Sequence, residues 1–145
     1  MKAYADSSFI VALYLQQERS SEASVLMQRY GQALPFTPWH RLEVRNAIRL
    51  AVFQGLIDSH LAKPQLRQLD SDLYDQTLLA HQSIDWTDVL REAERLGAAH
   101  NERLGCRSAD LFHVAAASQL GRAQFLTFDR RQAVMARAAG LTVKL

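Results

Sequence analysis

Short strand-like segments alternate with longer stretches of helical period along this chain, and that alternation constrains the fold more than any other feature. Lys2–Ala5, Ala33–Thr37, Leu78–His81, Gln124–Phe128 and Leu141–Val143 read as strands. Helical stretches separate them at about Ser8–Gln16, Ser20–Tyr30, Pro38–Gln54, Ser59–Tyr74, Thr87–Leu104, Ser108–Leu120 and residues 130–139. Gly31, Gly55, Gly105 and Gly121 stand where helices should stop, and Pro38 where one should start. Thr87 and Ser108 read as caps, and Pro64 as a start, kink or break. Short strands spaced by helices predict a parallel sheet covered on both faces. The expectation is a three-layer α/β/α fold, with residues 1–145 forming a single domain. No repeat, low-complexity tract or linker interrupts the pattern.

Composition narrows the class. At 48% apolar and 22% charged residues, the chain is neither disordered, collagen-like nor a coiled coil. Cys106 is the sole cysteine, so no disulfide forms within the chain and a cytoplasmic setting is expected. No apolar run approaches the ~20 residues of a membrane span, and the start does not read as a signal peptide. A net charge of +2 is too mild to prove a nucleic-acid partner. Lysine occurs only at Lys2, Lys63 and Lys144, so arginine supplies most of the 17 basic residues. Arginine suits bidentate phosphate contacts, and a GC-rich genome would also favour it.

Ligands of parallel α/β sheets bind beyond the carboxyl ends of the strands. Asp6 follows the first strand and Asp129 the Gln124–Phe128 strand, each just before a helix. An aspartate there is also an ordinary helix cap. Asp110 lies in the first turn of a helix, where the dipole favours an anion. That helix, Ser108–Ala117, is apolar on nearly all sides and should be buried, so Asp110 needs a cation or hydrogen bonds. Glu43 falls at the edge of the apolar face of its helix, with Arg41, Arg45 and Arg49 on the other side. It is either a site residue or tethered by an arginine from another element. Four such acids would repel one another if gathered, and a divalent cation relieves that. Oxygen ligands suit Mg²⁺ or Mn²⁺, and Cys106 and His113 lack the partners zinc needs.

Four segments carry a resemblance. They are Tyr4-Ala5-Asp6-Ser7-Ser8-Phe9-Ile10-Val11-Ala12-Leu13-Tyr14, Leu42-Glu43-Val44-Arg45-Asn46-Ala47, Arg107-Ser108-Ala109-Asp110-Leu111-Phe112-His113-Val114-Ala115-Ala116-Ala117, and Leu126-Thr127-Phe128-Asp129-Arg130-Arg131. Together they resemble the PIN-domain metal-dependent nucleases, and within them the VapC toxins of bacterial toxin–antitoxin pairs. The resemblance runs from about residue 2 to 143, with the acids in family order. Some relatives carry a further acid three residues after the last aspartate, where this chain has Gln132, and that leaves the number of metals open.

The resemblance implies an endoribonuclease with Mg²⁺ or Mn²⁺ in an acidic pocket, an RNA substrate, a protein antitoxin as partner, and a homodimer. It makes Asp6 and Asp110 the main metal ligands, with Glu43 and Asp129 completing the catalytic set directly or through water. Arg130 and Arg131, beside Asp129, are the favoured phosphate contacts, ahead of Arg107 and of Arg41, Arg45 and Arg49. Ser7 is a candidate contact in the pocket or a helix cap. His113 reads as a packed core histidine, and Trp39 and Trp86 as packing residues. The competing readings are a PIN fold that binds without catalysis and a PIN nuclease of RNA processing outside any toxin–antitoxin pair. A phosphate-accepting receiver domain would carry a lysine near its last strand, and the three lysines are poorly placed for that.

Overall fold

The computed structural model describes residues 2–144. Short parallel strands flanked by helices make up the chain, which is the expected α/β class. The chain forms two compact units, residues 1–6 with 83–145, and residues 7–82.

The first unit holds β1 (Ala3–Ala5), α5 (Trp86–Leu96), a π-helical turn (Gly97–Asn101), α6 (Glu102–Leu104), α7 (Ser108–Gln119), β4 (Gln124–Leu126), α8 (Arg130–Ala138) and β5 (Thr142–Lys144). Its sheet has the order β1-β4-β5 and is parallel throughout. Tyr4 pairs with Phe125 in register and stacks on it at 5.8 Å. The side chains of β1 are wholly buried, as strands of a covered parallel sheet should be. Parallel pairing has a direct consequence for the site: the residues that follow β1 and β4 leave the sheet from one edge. Asp6 extends the ladder there, its N–H donating to the Leu126 carbonyl at 3.1 Å.

The second unit holds α1 (Ser7–Tyr14), α2 (Ser20–Tyr30), β2 (Leu34–Phe36), α3 (Pro38–Phe53), α4 (Ser59–Asp75) and β3 (Leu79–His81). β2 and β3 pair in parallel as a separate two-stranded sheet. Thr37 and His40 form a reciprocal capping box at the start of α3, with Pro38 as its first residue. Gly31 closes α2 in the left-handed conformation at φ 64°. α4 runs on through Pro64, which removes one backbone bond without ending the helix.

Several boundaries differ from the sequence reading. Asp85, not Thr87, caps α5, its carboxylate accepting from the Asp88 N–H at 3.0 Å. Arg107 holds the cap position of α7, and Ser108 is the first helical residue. β4 ends at Leu126, so Thr127 and Phe128 lie in the connection to α8. The long helix expected from Thr87 to Leu104 is interrupted by the π turn. Among the described residues, no helix is long and apolar enough to cross a membrane.

Candidate functional site

The site in the first unit is built on the edge where β1 and β4 end. Asp6 is only 4% exposed. A buried carboxylate needs polar partners, and the Thr127 hydroxyl donates to its Oδ2 at 2.6 Å. Thr127 is itself fully buried. Its Oγ1 also accepts from the Asp129 N–H at 3.0 Å, a local turn that a threonine two residues upstream can form. Asp129 caps α8, its Oδ1 accepting from the Gln132 N–H at 2.8 Å. The capping role is therefore real, and it fixes the orientation of the Asp129 carboxylate.

Asp110 reaches the same region from α7. Phe112 through Ala117 are buried, so that helix is anchored as its apolar circumference predicts. The Asp110 carboxylate lies 3.7 Å from Arg107 Nε, with side-chain exposures of 19% and 85% respectively. An exposed pair of this kind is worth about 0–1 kcal/mol. Gly105, Arg107, Asp110, Asp129, Arg130 and Arg131 line a cleft of about 370 Å³. Gly105 sits at φ 68°, a left-handed conformation that turns the chain from α6 toward α7. The Asn101 side chain clamps this turn, accepting from the Cys106 N–H at 2.6 Å and donating to the Cys106 carbonyl at 2.9 Å.

Cys106 is buried beside the cleft. Burial pushes its thiol pKa up, and Asp110 and Asp129 push it further while Arg131 opposes them. A raised thiol pKa disfavours the thiolate, the reactive form of cysteine.

Glu43 lies in the second unit, on α3, where the Ser7 hydroxyl donates to its Oε1 at 2.8 Å. Ser7 is thus one partner of Glu43. Arg45, one of the alternative phosphate contacts, pairs with Asp70 of α4. His113 is buried, with Nδ1 hydrogen-bonded to the Tyr4 hydroxyl at 2.8 Å. Tyr4→Phe removes that bond and should cost about 1–3 kcal/mol in thermal denaturation. Trp86 packs against Phe112 at 5.5 Å.

Asp6, Asp110 and Asp129 thus share one unit and one hydrogen-bonded neighbourhood. Among the described residues, no three His, Cys, Asp or Glu side chains stand together in ligating geometry. The donors near the cleft are carboxylate oxygens, which by hardness fit Mg²⁺ or Mn²⁺. Thr127 and Gln132 are the polar residues that sequence reading passed over as site components. The Thr127–Asp129 spacing, which allows the local turn, was the available signal.

Aspartates beyond the carboxyl ends of parallel strands stand where ligand sites of α/β proteins form. The PIN-domain family model matches residues 3–138, and the chain belongs to the PIN-domain family. Ribonuclease VapC3 of Pyrobaculum aerophilum is 30% identical over 133 residues, covering 92% of this chain and 93% of that one. Among solved structures, FitAcB from Neisseria gonorrhoeae aligns with a TM-score of 0.68 at 15% identity, covering 99% of this chain and 96% of that one. Mycobacterium tuberculosis VapC20, a sarcin–ricin-loop-cleaving toxin, aligns with a TM-score of 0.68 at 18% identity, covering 97% of both chains. These likenesses show the three-layer α/β/α fold.

Proposed function

We propose that this chain is a Mg²⁺- or Mn²⁺-dependent endoribonuclease, the cytoplasmic toxin of a type II toxin–antitoxin pair. The observation that carries this reading is the cleft that Asp110 and Asp129 line together with Arg107, Arg130 and Arg131. PIN-family membership and the likeness to ribonuclease VapC3 support nuclease chemistry. In this reading residues 1–145 are a single nuclease domain, working as a homodimer held in check by a protein antitoxin.

In this reading Asp6 and Asp110 are the main metal ligands, and Asp129 and Glu43 complete the set directly or through water. These residues would hold a divalent cation, which would supply an acidified water and neutralise charge at phosphorus. The protein's own groups do the positioning. The Thr127 hydroxyl fixes the Asp6 carboxylate, and the Ser7 hydroxyl, next in sequence, fixes Glu43. Arg107 releases Asp110 at little cost, because their pair is exposed and weak. Arg130 and Arg131 hold RNA phosphates on the cleft wall.

Arg131→Ala should raise KM for RNA roughly tenfold, the value of about 1.4 kcal/mol of phosphate contact, with kcat little changed. An unchanged KM would remove Arg131 from the substrate contacts. The pairing has its own test. Expression of the chain alone should arrest growth, and co-expression of the small protein encoded beside it should restore growth. Arrest that the neighbour does not relieve would contradict the toxin–antitoxin assignment.

A further inference from the structure

The geometry points to Gln132 as a positioning residue that ties the backbone at Asp110 to the first turn of α8, beside the Thr127–Asp6 hydrogen bond, and so sets the spacing of the aspartates toward a divalent cation. This inference rests on the metal-site reading above. Gln132 is 1% exposed and touches the support of each acid. Its backbone N–H donates to Asp129 Oδ1 at 2.8 Å. Its Nε2 donates to the Asp110 carbonyl at 3.2 Å, linking the first turn of α8 to the first turn of α7. Its Oε1 lies 3.1 Å from Thr127 Oγ1, the hydroxyl that holds Asp6.

A hydroxyl has one proton. Thr127 faces Asp6 Oδ2 at 2.6 Å and Gln132 Oε1 at 3.1 Å. The shorter contact, to an ionisable carboxylate, takes the proton. Gln132 is then held chiefly by its Nε2–H bond to Asp110. Reversing the amide would aim Nε2 at Thr127 and set Oε1 against the Asp110 carbonyl. The bonded orientation therefore ties the side chain to Asp110 and sets its oxygen beside the Thr127–Asp6 pair. A neutral amide does this without adding a negative charge to a region that already holds three carboxylates. Groups that orient metal ligands from behind are worth about 10–100-fold in metal affinity.

The test is calorimetric titration of the full chain with Mn²⁺ alone. Gln132→Met keeps the side-chain length and removes both polar atoms. It should weaken the apparent Kd for Mn²⁺ about 10–100-fold relative to wild type. A filler role would lower Tm and leave that Kd unmoved, which overturns the inference. Gln132→Glu provides an arm that does not depend on the Met variant folding. It swaps the Nε2–H donor for an oxygen facing the Asp110 carbonyl, so binding should weaken despite the added charge. Tighter binding would make position 132 a ligand and overturn the positioning role. Failure of wild type to bind Mn²⁺ would sink the metal reading and this inference together. Wild-type binding with unchanged variants would sink this inference alone.

Discussion

Asp6→Asn should lower RNA cleavage in Mn²⁺ by at least about 100-fold, the scale for losing one preorganised charge in an active site. The effect should fall on kcat, because in the proposed reading Asp6 would serve the reacting phosphate rather than distant parts of the RNA. Asparagine has nearly the same shape and keeps a carbonyl oxygen to accept from Thr127. The hydrogen bond at 2.6 Å therefore has a substitute, and the fold should survive. The buried aspartate is also a cost to the folded state, since a charge 4% exposed has lost most of its water. Asp6→Asn should thus match or exceed wild type in metal-free Tm while losing activity. Cleavage at the wild-type rate would remove Asp6 from the catalytic set. Lost activity with a collapsed Tm would make it structural.

Phe125→Ala should destabilise the first unit by about 3–5 kcal/mol, the usual cost of deleting a buried phenyl ring. Phe125 is fully buried at the centre of β4, the middle strand of its sheet. Its register partners are Tyr4 on β1 and Val143 on β5, and its ring stacks on Tyr4. Truncation therefore leaves a void on the strand that places Thr127 and Asp129. For a chain this size, Tm should fall by roughly 10 °C. Cleavage measured well below that Tm should fall much less than in Asp6→Asn. A loss under about 1 kcal/mol would mean that the sheet is not the frame of the site.

The acids were legible in sequence for separable physical reasons. Asp6 and Asp129 follow short apolar strands, and parallel pairing brings such strand ends to one edge. Asp110 stood out because its helix is apolar all round, which the burial of Phe112–Ala117 bears out. The helical angles placed Glu43 away from its neighbouring arginines, but they could not show that Ser7 holds it, since a hydroxyl carries no periodic signal. Asp85 displaced Thr87 as a cap because several cap-competent residues stand together, and propensity alone does not rank adjacent candidates. The π turn at Gly97–Asn101 buries none of its residues, so the apolar pattern carries no signal of it. The division of the strands into two sheets depends on pairing, and the strand segments alone leave pairing open. Thr127 escaped notice as a site residue because its partner Asp6 is far away in sequence. Gln132 stands in sequence only as the place of an absent acid, whereas its amide bonds the Asp110 carbonyl and lies against Thr127.

The central claim is metal-dependent RNA hydrolysis at these carboxylates, and a reversible chelation experiment on one sample tests it most directly. End-labelled structured RNA is incubated with the purified chain in millimolar Mn²⁺, then with excess EDTA, then with Mn²⁺ restored. The account predicts internal cleavage that stops on chelation and resumes on restoration, all of it absent in Asp6→Asn. Cleavage that persists in EDTA, or no cleavage of any RNA in millimolar Mn²⁺, would contradict it.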